Sequence, residues 1–512
     1  MNDLKAIAIY LPQYHKVKEN DEWWGEGFTE WTSVRQAEAY YEEHHQPRIP
    51  LNENYYDLDK KETMEWQAGL AEQYGIYGFC FYHYYFKEGR KILEKPAENL
   101  LKWTDIPLKY CFSWANMPWQ RTWSNFSLGG SWASKFEKYE ENSNPVLLEQ
   151  DYGDEKEWKA HFDYLLPFFR DERYIKIDNK PVFLFHAVKD IGCLNQMVDL
   201  WRKFALDAGL EGLYLIGVVQ DDYDAYPVLD ALYAQEPSAS ITDYVQDGEE
   251  DKKDICARYY IYEDMCRWGY LKHYEPDRKV FFSAFPGYDT TPRHGKRGVI
   301  IDKATPEKFE ESFREICQKS IQRKNEYVFI NAWNEWGEGN YLEPDTKYGY
   351  AFLEAVHKVL TEPEIKHASE ERFDKDMKLF YQVFKKKEQE RKKFQSFFRV
   401  MDQWMKCMED EKEISSFFLE NNYHKAAIYG MGMMGKHLFR QIKQKISVTY
   451  FIDRAATLKD FEIPIYNLDE EFPDVDVIVV TIVNEFEDIT SKLQGKTRAK
   501  IISLTDVVKG IN

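Results

Sequence analysis

The sequence predicts an α/β protein: a (β/α)8 TIM barrel over residues 1–360, a helical linker over 361–422, and a small Rossmann-like α/β domain of nucleotide-binding type over 423–512. Three observations predict it. Eight short apolar runs alternate with helix-length amphipathic segments in the first 360 residues. Glycine disappears and charge rises between 361 and about 422. A second strand-and-helix pattern, opened by a G-x-G-x-x-G loop, begins at 425. A chain of 512 residues also exceeds what one core usually serves.

The eight runs are AIAIYLP (6–12), IYGFCFYHYY (76–85), KYCFSWAN (109–116), PVFLFHA (181–187), LYLIGVV (213–219), ALYA (231–234), KVFFSAFPG (279–287) and YVFINAW (327–333). They are continuous rather than alternating, as strands buried on both faces of a parallel sheet read. The run at 231–234 is the weakest and reads equally as loop; a doubly wound open sheet is the competing topology. Helical patterns lie between the runs, as at 59–74, where Met64, Leu70 and Ala71 punctuate charged positions. In 361–422 apolar residues fall at helical spacing: Phe373, Met377, Phe380, Phe384, Phe394, Phe397, Met401, Trp404 and Met408. Such helices suit packing against a neighbour or a second subunit, so a homo-oligomer through 361–422 is an open expectation. The basic run 385–393 reads as a solvated helix face rather than a membrane contact.

The formal net charge is −20, from 88 acidic and 68 basic residues. Nucleic-acid phosphates and anionic lipid repel such a chain, so neutral glycans or small molecules are the expected partners. The seven cysteines are odd in number, widely spaced and without a CxxC pair, which argues against a disulfide framework or a zinc site. The N-terminal apolar run is too short for a secretory leader, and no stretch reaches the length of a membrane span. A cytoplasmic protein that is not integral to the membrane is expected. Aromatic residues reach 16% and serve either a large core or surfaces that stack on the C–H faces of sugars.

The segment NAWNEWGEGNYLEP (331–344) follows the eighth run, at the end of a barrel where active sites lie. Residues three apart on a strand face opposite sides, but Gly337 and Gly339 let the chain leave strand geometry, so Glu335 and Glu338 can converge on one pocket. Trp333 and Trp336 flank them, to stack on a sugar and lower the local dielectric. Glycosidic chemistry needs an acid for the leaving oxygen and a base or nucleophile for the developing cation, and two carboxyls in unlike surroundings supply both. The plainer reading is a loop with exposed acids and buried tryptophans.

Aromatic and polar residues also crowd three other strand ends. After the first come Tyr10, Gln13, Tyr14, His15, Trp23, Trp24, Glu26, Glu30 and Trp31; after the second, His83 within FYHYYF; after the third, Trp114, Asn116, Trp119, Arg121 and Trp123. The candidate substrate-binding residues are Tyr14, His15, Trp24, Glu30, Trp31, His83, Trp114, Asn116, Asn334 and Trp336. Self-packed loops and a structural histidine are the alternatives.

The ordered motifs AIYLPQYH with WWGEGFTEW, GFCFYHYYF, FSWAN and WNEWGEG resemble the WbsX group, which belongs with the endo-α-mannosidases of glycoside hydrolase family 99 and their relatives. The resemblance spans roughly residues 4–360. It implies a (β/α)8 barrel, α-mannoside-like or other glycan substrates, retention and no metal. It also implies that Glu335 assists the sugar 2-hydroxyl as an internal nucleophile and that Glu338 is the general acid/base. WbsX-type proteins are associated with assembly of O-antigen (lipopolysaccharide), capsule and other surface polysaccharides, and are called glycosyltransferases. A retaining site runs in the synthetic direction when an acceptor hydroxyl replaces water.

Asp222-Tyr223-Asp224 fits the DxD pattern of a metal clamp for a nucleotide sugar, but also reads as an acidic loop, and no metal ligand is assigned. In the C-terminal unit, Gly430, Gly432 and Gly435 follow strand AAIY and open a helix, and Asp453 ends the next strand. This is the context in which glycines admit a phosphate and an acid binds a ribose. Bound nucleotide, NAD or nucleotide sugar is therefore open there, although the unit is near a single mononucleotide half. The barrel itself requires no cofactor. Two rival functions remain: an NAD- or nucleotide-sugar-linked oxidoreductase or epimerase centred on 425–512, and a non-catalytic glycan-binding scaffold.

Overall fold

The computed structural model describes residues 4–120, 146–219, 226–241, 258–272, 278–362, 396–410, 412–453, 462–482 and 485–511. The chain divides into two compact units, residues 1–372 and 373–512.

In the first unit all eight apolar runs form strands: β1 (Lys5–Tyr10), β2 (Ile76–Tyr85), β3 (Lys109–Trp114), β4 (Lys180–Phe185), β5 (Tyr214–Val219), β6 (Ala231–Ala234), β7 (Val280–Ala284) and β8 (Tyr327–Ile330). Each pairs in parallel with its sequence neighbours, and β8 pairs with β1, which closes the ring. The open doubly wound alternative is thereby excluded, and 231–234 is a strand with all four residues buried. Helices follow seven of the strands: α1 (Lys61–Gln73), α2 (Lys95–Lys102), α3 (Glu155–Arg170), α4 (Leu194–Asp207), α5 (Tyr262–Lys272), α6 (Pro306–Gln322) and α7 (Ala351–Thr361). Between β5 and β6 no helix occurs among the described residues. Burial on the barrel and helix sides alike explains why the strands read as unbroken apolar runs.

In the second unit β9 (Lys425–Tyr429), β10 (Ser447–Ile452), β11 (Ile465–Tyr466), β12 (Val477–Val480) and β13 (Lys500–Ser503) form one parallel sheet in the order β11-β10-β9-β12-β13. Alternate residues of β9 serve two cores. Ala426 and Ile428 pack with Leu438 and Val507, whereas Ala427 and Tyr429 pack with Ile489 and Leu493. Val400 and Trp404 of helix 396–409, with Ile414 and Phe418 of the next helix, belong to the first of these cores. The apolar side of 396–420 therefore packs on this unit's own sheet. Phe373, Met377, Phe380, Phe384, Phe394 and the basic run lie outside the described residues.

No helix among the described residues is long and apolar enough to cross a membrane. The six cysteines among them are free.

Trp404 is 3% exposed and its Nε1 donates to Gln441 Oε1 at 3.0 Å. Trp404→Ala is expected to cost the second unit about 3–5 kcal/mol in a denaturant titration of the whole chain. An unchanged transition would remove 396–409 from that core.

Candidate active site

Beyond β8 the backbone makes a tight hairpin, Asn334–Glu335 against Asn340–Tyr341, joined by one 3-10 turn at Trp336–Glu338. Gly339 closes the turn in the left-handed region, at φ 57°. The turn replaces strand alternation, so both carboxylates reach one cation. Arg293 Nη2 donates to Glu335 Oε2 at 2.7 Å and Nη1 to Glu338 Oε1 at 2.6 Å. Arg293 Nε donates to Glu30 Oε1 at 2.6 Å. The site is thus three carboxylates around one guanidinium, fed from the loops after β1, β7 and β8 at the C-terminal mouth of the barrel.

Burial raises both carboxyls of the pair, and pushes Glu335 up to about 8; Glu338 and Glu30 add like charge, and Arg293 pulls the other way. Tyr14, Tyr82, Tyr84 and Tyr288 feel the same charges, and burial holds their phenols in the neutral form. Gly337 is required by the same cluster: a Cβ there would lie 1.8 Å from Glu30 Oε1 and 2.8 Å from Arg293 Nε.

Glu343 organises the hairpin from beneath. Its Oε1 accepts from Trp333 Nε1 (2.9 Å) and Gln67 Nε2 (2.7 Å), and its Oε2 from Trp336 Nε1 (2.7 Å) and the Tyr56 hydroxyl (2.8 Å). Burial pushes its carboxyl up to about 7 against these four donors. Trp333 and Trp336 are fully buried, and Trp336 stacks on Tyr341 at 3.7 Å. Their expected stacking on a sugar is corrected accordingly: the indole faces are covered by protein, and the tryptophans fix the hairpin.

The structure gathers some of the sequence-derived candidates and not others. Glu30 joins the cluster. Tyr14 donates its hydroxyl to the Asn334 carbonyl and accepts from Trp336 N, and Trp31 packs between Tyr14 and Trp336. Asn334 ties the hairpin to β1 by bonding both Leu11 N (2.7 Å) and Leu11 O (3.0 Å). Asn116 does the same between β3 and β4, bonding Ala187 N and O. His15 is buried, and its charged neighbours are Asp57, Asp59 and Lys95, not the pair. Trp24 packs with Phe28 in a small separate cluster.

His83 and Trp114 face α3. His83 Nε2 hydrogen-bonds His161 Nε2 at 2.8 Å, and Trp114 packs on His161 while donating to the Tyr85 carbonyl. Burial pushes His83 down to about 3, so it is a neutral packing residue at neutral pH. Trp119 packs against Tyr84, whereas Arg121 and Trp123 lie outside the described residues, as does Asp222-Tyr223-Asp224.

Sequence reasoning missed Arg293, Glu343, Tyr82, Tyr84 and Tyr288. Strand alternation carried one signal: in FYHYYF, Tyr82 and Tyr84 share the face opposite His83. Gln13 and Asn340 are fully buried with no hydrogen-bond partner for either side-chain amide atom, and Glu30 Oε2 has none either, among the described residues. Gln13 gives its carbonyl to Glu30 N, and Asn340 stands opposite Glu335 in the hairpin. Among the described residues no group of three or more His, Cys, Asp or Glu side chains is placed to hold a metal.

A family model described as Glycosyltransferase WbsX matches residues 6–356. The chain belongs to the WbsX glycosyltransferase family. Two curated relatives, each described as uncharacterized protein WxcX, come from strains of Xanthomonas campestris pv. campestris. Each is 30% identical, over 366 and 368 residues. These alignments cover 69% of this chain but 49% of the relative, so the chain spans about half the length of the curated proteins it matches. Among solved structures, an endo-α-mannosidase from Bacteroides thetaiotaomicron is 13% identical at a TM-score of 0.41, covering 72% of this chain and 98% of its own. A family 5 xyloglucanase from Paenibacillus pabuli is 9% identical at 0.37, covering 70% and 99%. The barrel rests on the strand pairings above, not on these superpositions.

In the C-terminal unit Gly430 has φ 97°, and a Cβ on Gly435 would lie 2.0 Å from Gly430 O, so both glycines are demanded by the backbone; a Cβ on Gly432 would meet nothing. Asp453 accepts from Met431 N at 2.6 Å, so this carboxylate braces the loop itself.

Two substitutions test the hairpin. Gly337→Ala is expected to displace Glu30 and lower stability by about 1–3 kcal/mol by thermal unfolding. Glu343→Gln leaves an amide facing donors and is expected to cost at least about 2 kcal/mol, with changed tryptophan fluorescence; a mutant as stable as the parent would remove Glu343 from its organising role.

Proposed function

We propose that the barrel is a carbohydrate-active enzyme that cleaves or transfers glycosyl units with retention, using Glu335 and Glu338. The observation that carries this reading is the buried pair on one guanidinium, held where a proton stays bound near neutral pH. The side chain of Glu338 is 26% exposed and that of Glu335 is 7% exposed. Glu338 is thus the carboxyl a glycosidic oxygen reaches, and the proton belongs to the pair as a whole.

In the first step Glu338 gives its proton to the leaving oxygen as the bond from that oxygen to the anomeric carbon breaks. Glu335 takes the proton of the 2-hydroxyl as that oxygen closes on the anomeric carbon. In the second step water or an acceptor hydroxyl attacks the anomeric carbon and surrenders its proton to Glu338, as the bond from that carbon to the 2-oxygen breaks and the 2-oxygen regains its proton from Glu335. Arg293 keeps the carboxylates side by side. Family membership supports a role in assembling surface polysaccharide such as O-antigen or capsule, on an oligosaccharide or polysaccharide substrate. The parallel sheet with its glycine loop supports reading 423–512 as Rossmann-like. The proposed reaction is carried by the barrel residues.

The test is mass spectrometry of products from α-mannosyl and related oligosaccharides, with and without nucleotide sugars. Glu335→Gln and Glu338→Gln are each expected to lower turnover by at least about 100-fold with folding intact. Near-normal turnover in either would end the assignment. Shortened products mark a hydrolase, lengthened ones a transferase. Burial raises both carboxyls, so the pair holds its one proton below its raised folded pKa and loses it above, and kcat/KM is expected to fall as pH rises through that titration.

A further inference from the structure

Arg293 enters the mouth on a four-residue helix, Thr291–His294, and is 5% exposed. Its position is fixed from below by Asp289. Oδ1 of Asp289 accepts from Thr291 N (3.0 Å) and Thr291 Oγ1 (2.6 Å); Oδ2 accepts from Gln46 Nε2 (2.7 Å) and His44 Nε2 (2.8 Å). His44 Nδ1 accepts from Tyr40 N, so the imidazole proton sits on Nε2 and points at Asp289. The short helix that carries the arginine is therefore held on a buried base, and the guanidinium itself is aimed by its three carboxylates.

The charge count at the cluster is uneven. Among the described residues, one guanidinium bonds Glu30, Glu335 and Glu338, and Tyr14, Tyr82, Tyr84 and Tyr288, which feel these charges, are held as neutral phenols by burial, with Arg258 acting on Tyr288. Glu30 is the most buried of the three carboxylates, with a side chain 1% exposed, and it bonds the Nε edge, away from the two nitrogens that hold the pair. Glu30 and Arg293 together make a neutral ion pair. Without Glu30, a full positive charge would bond both members of the pair, favour both ionised forms, and leave no acid. With Glu30 in place, Glu335 and Glu338 behave as two like charges in a buried site, and such a pair holds one proton between them.

We propose that Arg293 and Glu30 are positioning residues that act through Glu335 and Glu338: the guanidinium fork sets their geometry, and the Glu30 carboxylate cancels its charge so that the pair retains one proton. This rests on reading Glu335 and Glu338 as the reacting pair, but its test needs no substrate. Gly337 is part of the device, because any larger residue there would collide with Glu30.

The experiment is a carbon-13 NMR titration of the glutamate carboxyl carbons in the whole chain, with Glu335→Gln and Glu338→Gln to assign the signals. In the parent chain one carboxyl of the pair is expected to titrate well above the ordinary glutamate range. Glu30→Gln is expected to move that titration down by about 1–3 pH units, and Arg293→Gln to move it up by a similar amount. Arg293→Lys keeps a charge without the fork, so the titration stays within about one unit of the parent while the two carboxyl shifts separate. A packing role alone predicts no directed shift. If Arg293→Gln fails to fold, Glu30→Gln still decides. A titration unmoved in Glu30→Gln overturns the inference, whereas failure to find any glycan product would count against the proposed function and leave this result standing.

Discussion

Taking a carboxylate out of water is costly unless donors or an opposite charge accompany it. Glu30 and Glu335 are buried and Glu338 is partly buried beside them, and Arg293 bonds all three at 2.6–2.7 Å. The loops after β1, β7 and β8 are constrained by this one requirement. Gly337 is glycine because the ion pair of Glu30 passes against the backbone there, and Gly339 takes the left-handed conformation that turns the chain back. Asp289 and His44 extend the constraint downward by holding the short helix that presents the arginine.

The aromatic surplus follows from the same economy of burial. Trp333 and Trp336 lock onto Glu343, Tyr14 and Trp31 pack over the turn, and Tyr82, Tyr84 and Tyr288 surround the charges with neutral phenols. A low-polarity wall strengthens every interaction inside it, which is what lets two carboxyls of one sequence motif differ in exposure and keep a proton near neutral pH. Elsewhere the aromatics fill the space between strands and helices, as where His83, Tyr85 and Trp114 meet His161 of α3.

The second unit follows different rules. Its sheet is covered on both sides, by the helices of 396–420 among others on one and by Ile489 and Leu493 on the other. The glycine loop after β9 has a backbone reason for Gly430 and Gly435, and Asp453 stabilises it through Met431 N. A loop motif and a strand-end acid can thus serve their own turn, and the same letters in a sequence do not by themselves specify a ligand.

The sequence by itself determined the elements whose signal is local. Continuous apolar runs gave the eight barrel strands and the parallel sheet of the second unit, because burial on both faces removes polar alternation. The position of Glu335 and Glu338 beyond the last strand, with glycines between and after them, located the carboxylate cluster at the barrel mouth. What only the tertiary structure decided is which distant side chains meet. Arg293 lies 263 residues from Glu30 and 42 from Glu335, in a stretch with no motif, so nothing local marks it. His83, conspicuous in the sequence, faces a helix, while its neighbours Tyr82 and Tyr84 surround the charges; strand alternation separates them, but only the closed ring says which side is the mouth. The physical reason is that backbone periodicity is written in neighbouring residues, whereas a buried charge cluster is defined by loops that the barrel brings together only on closing.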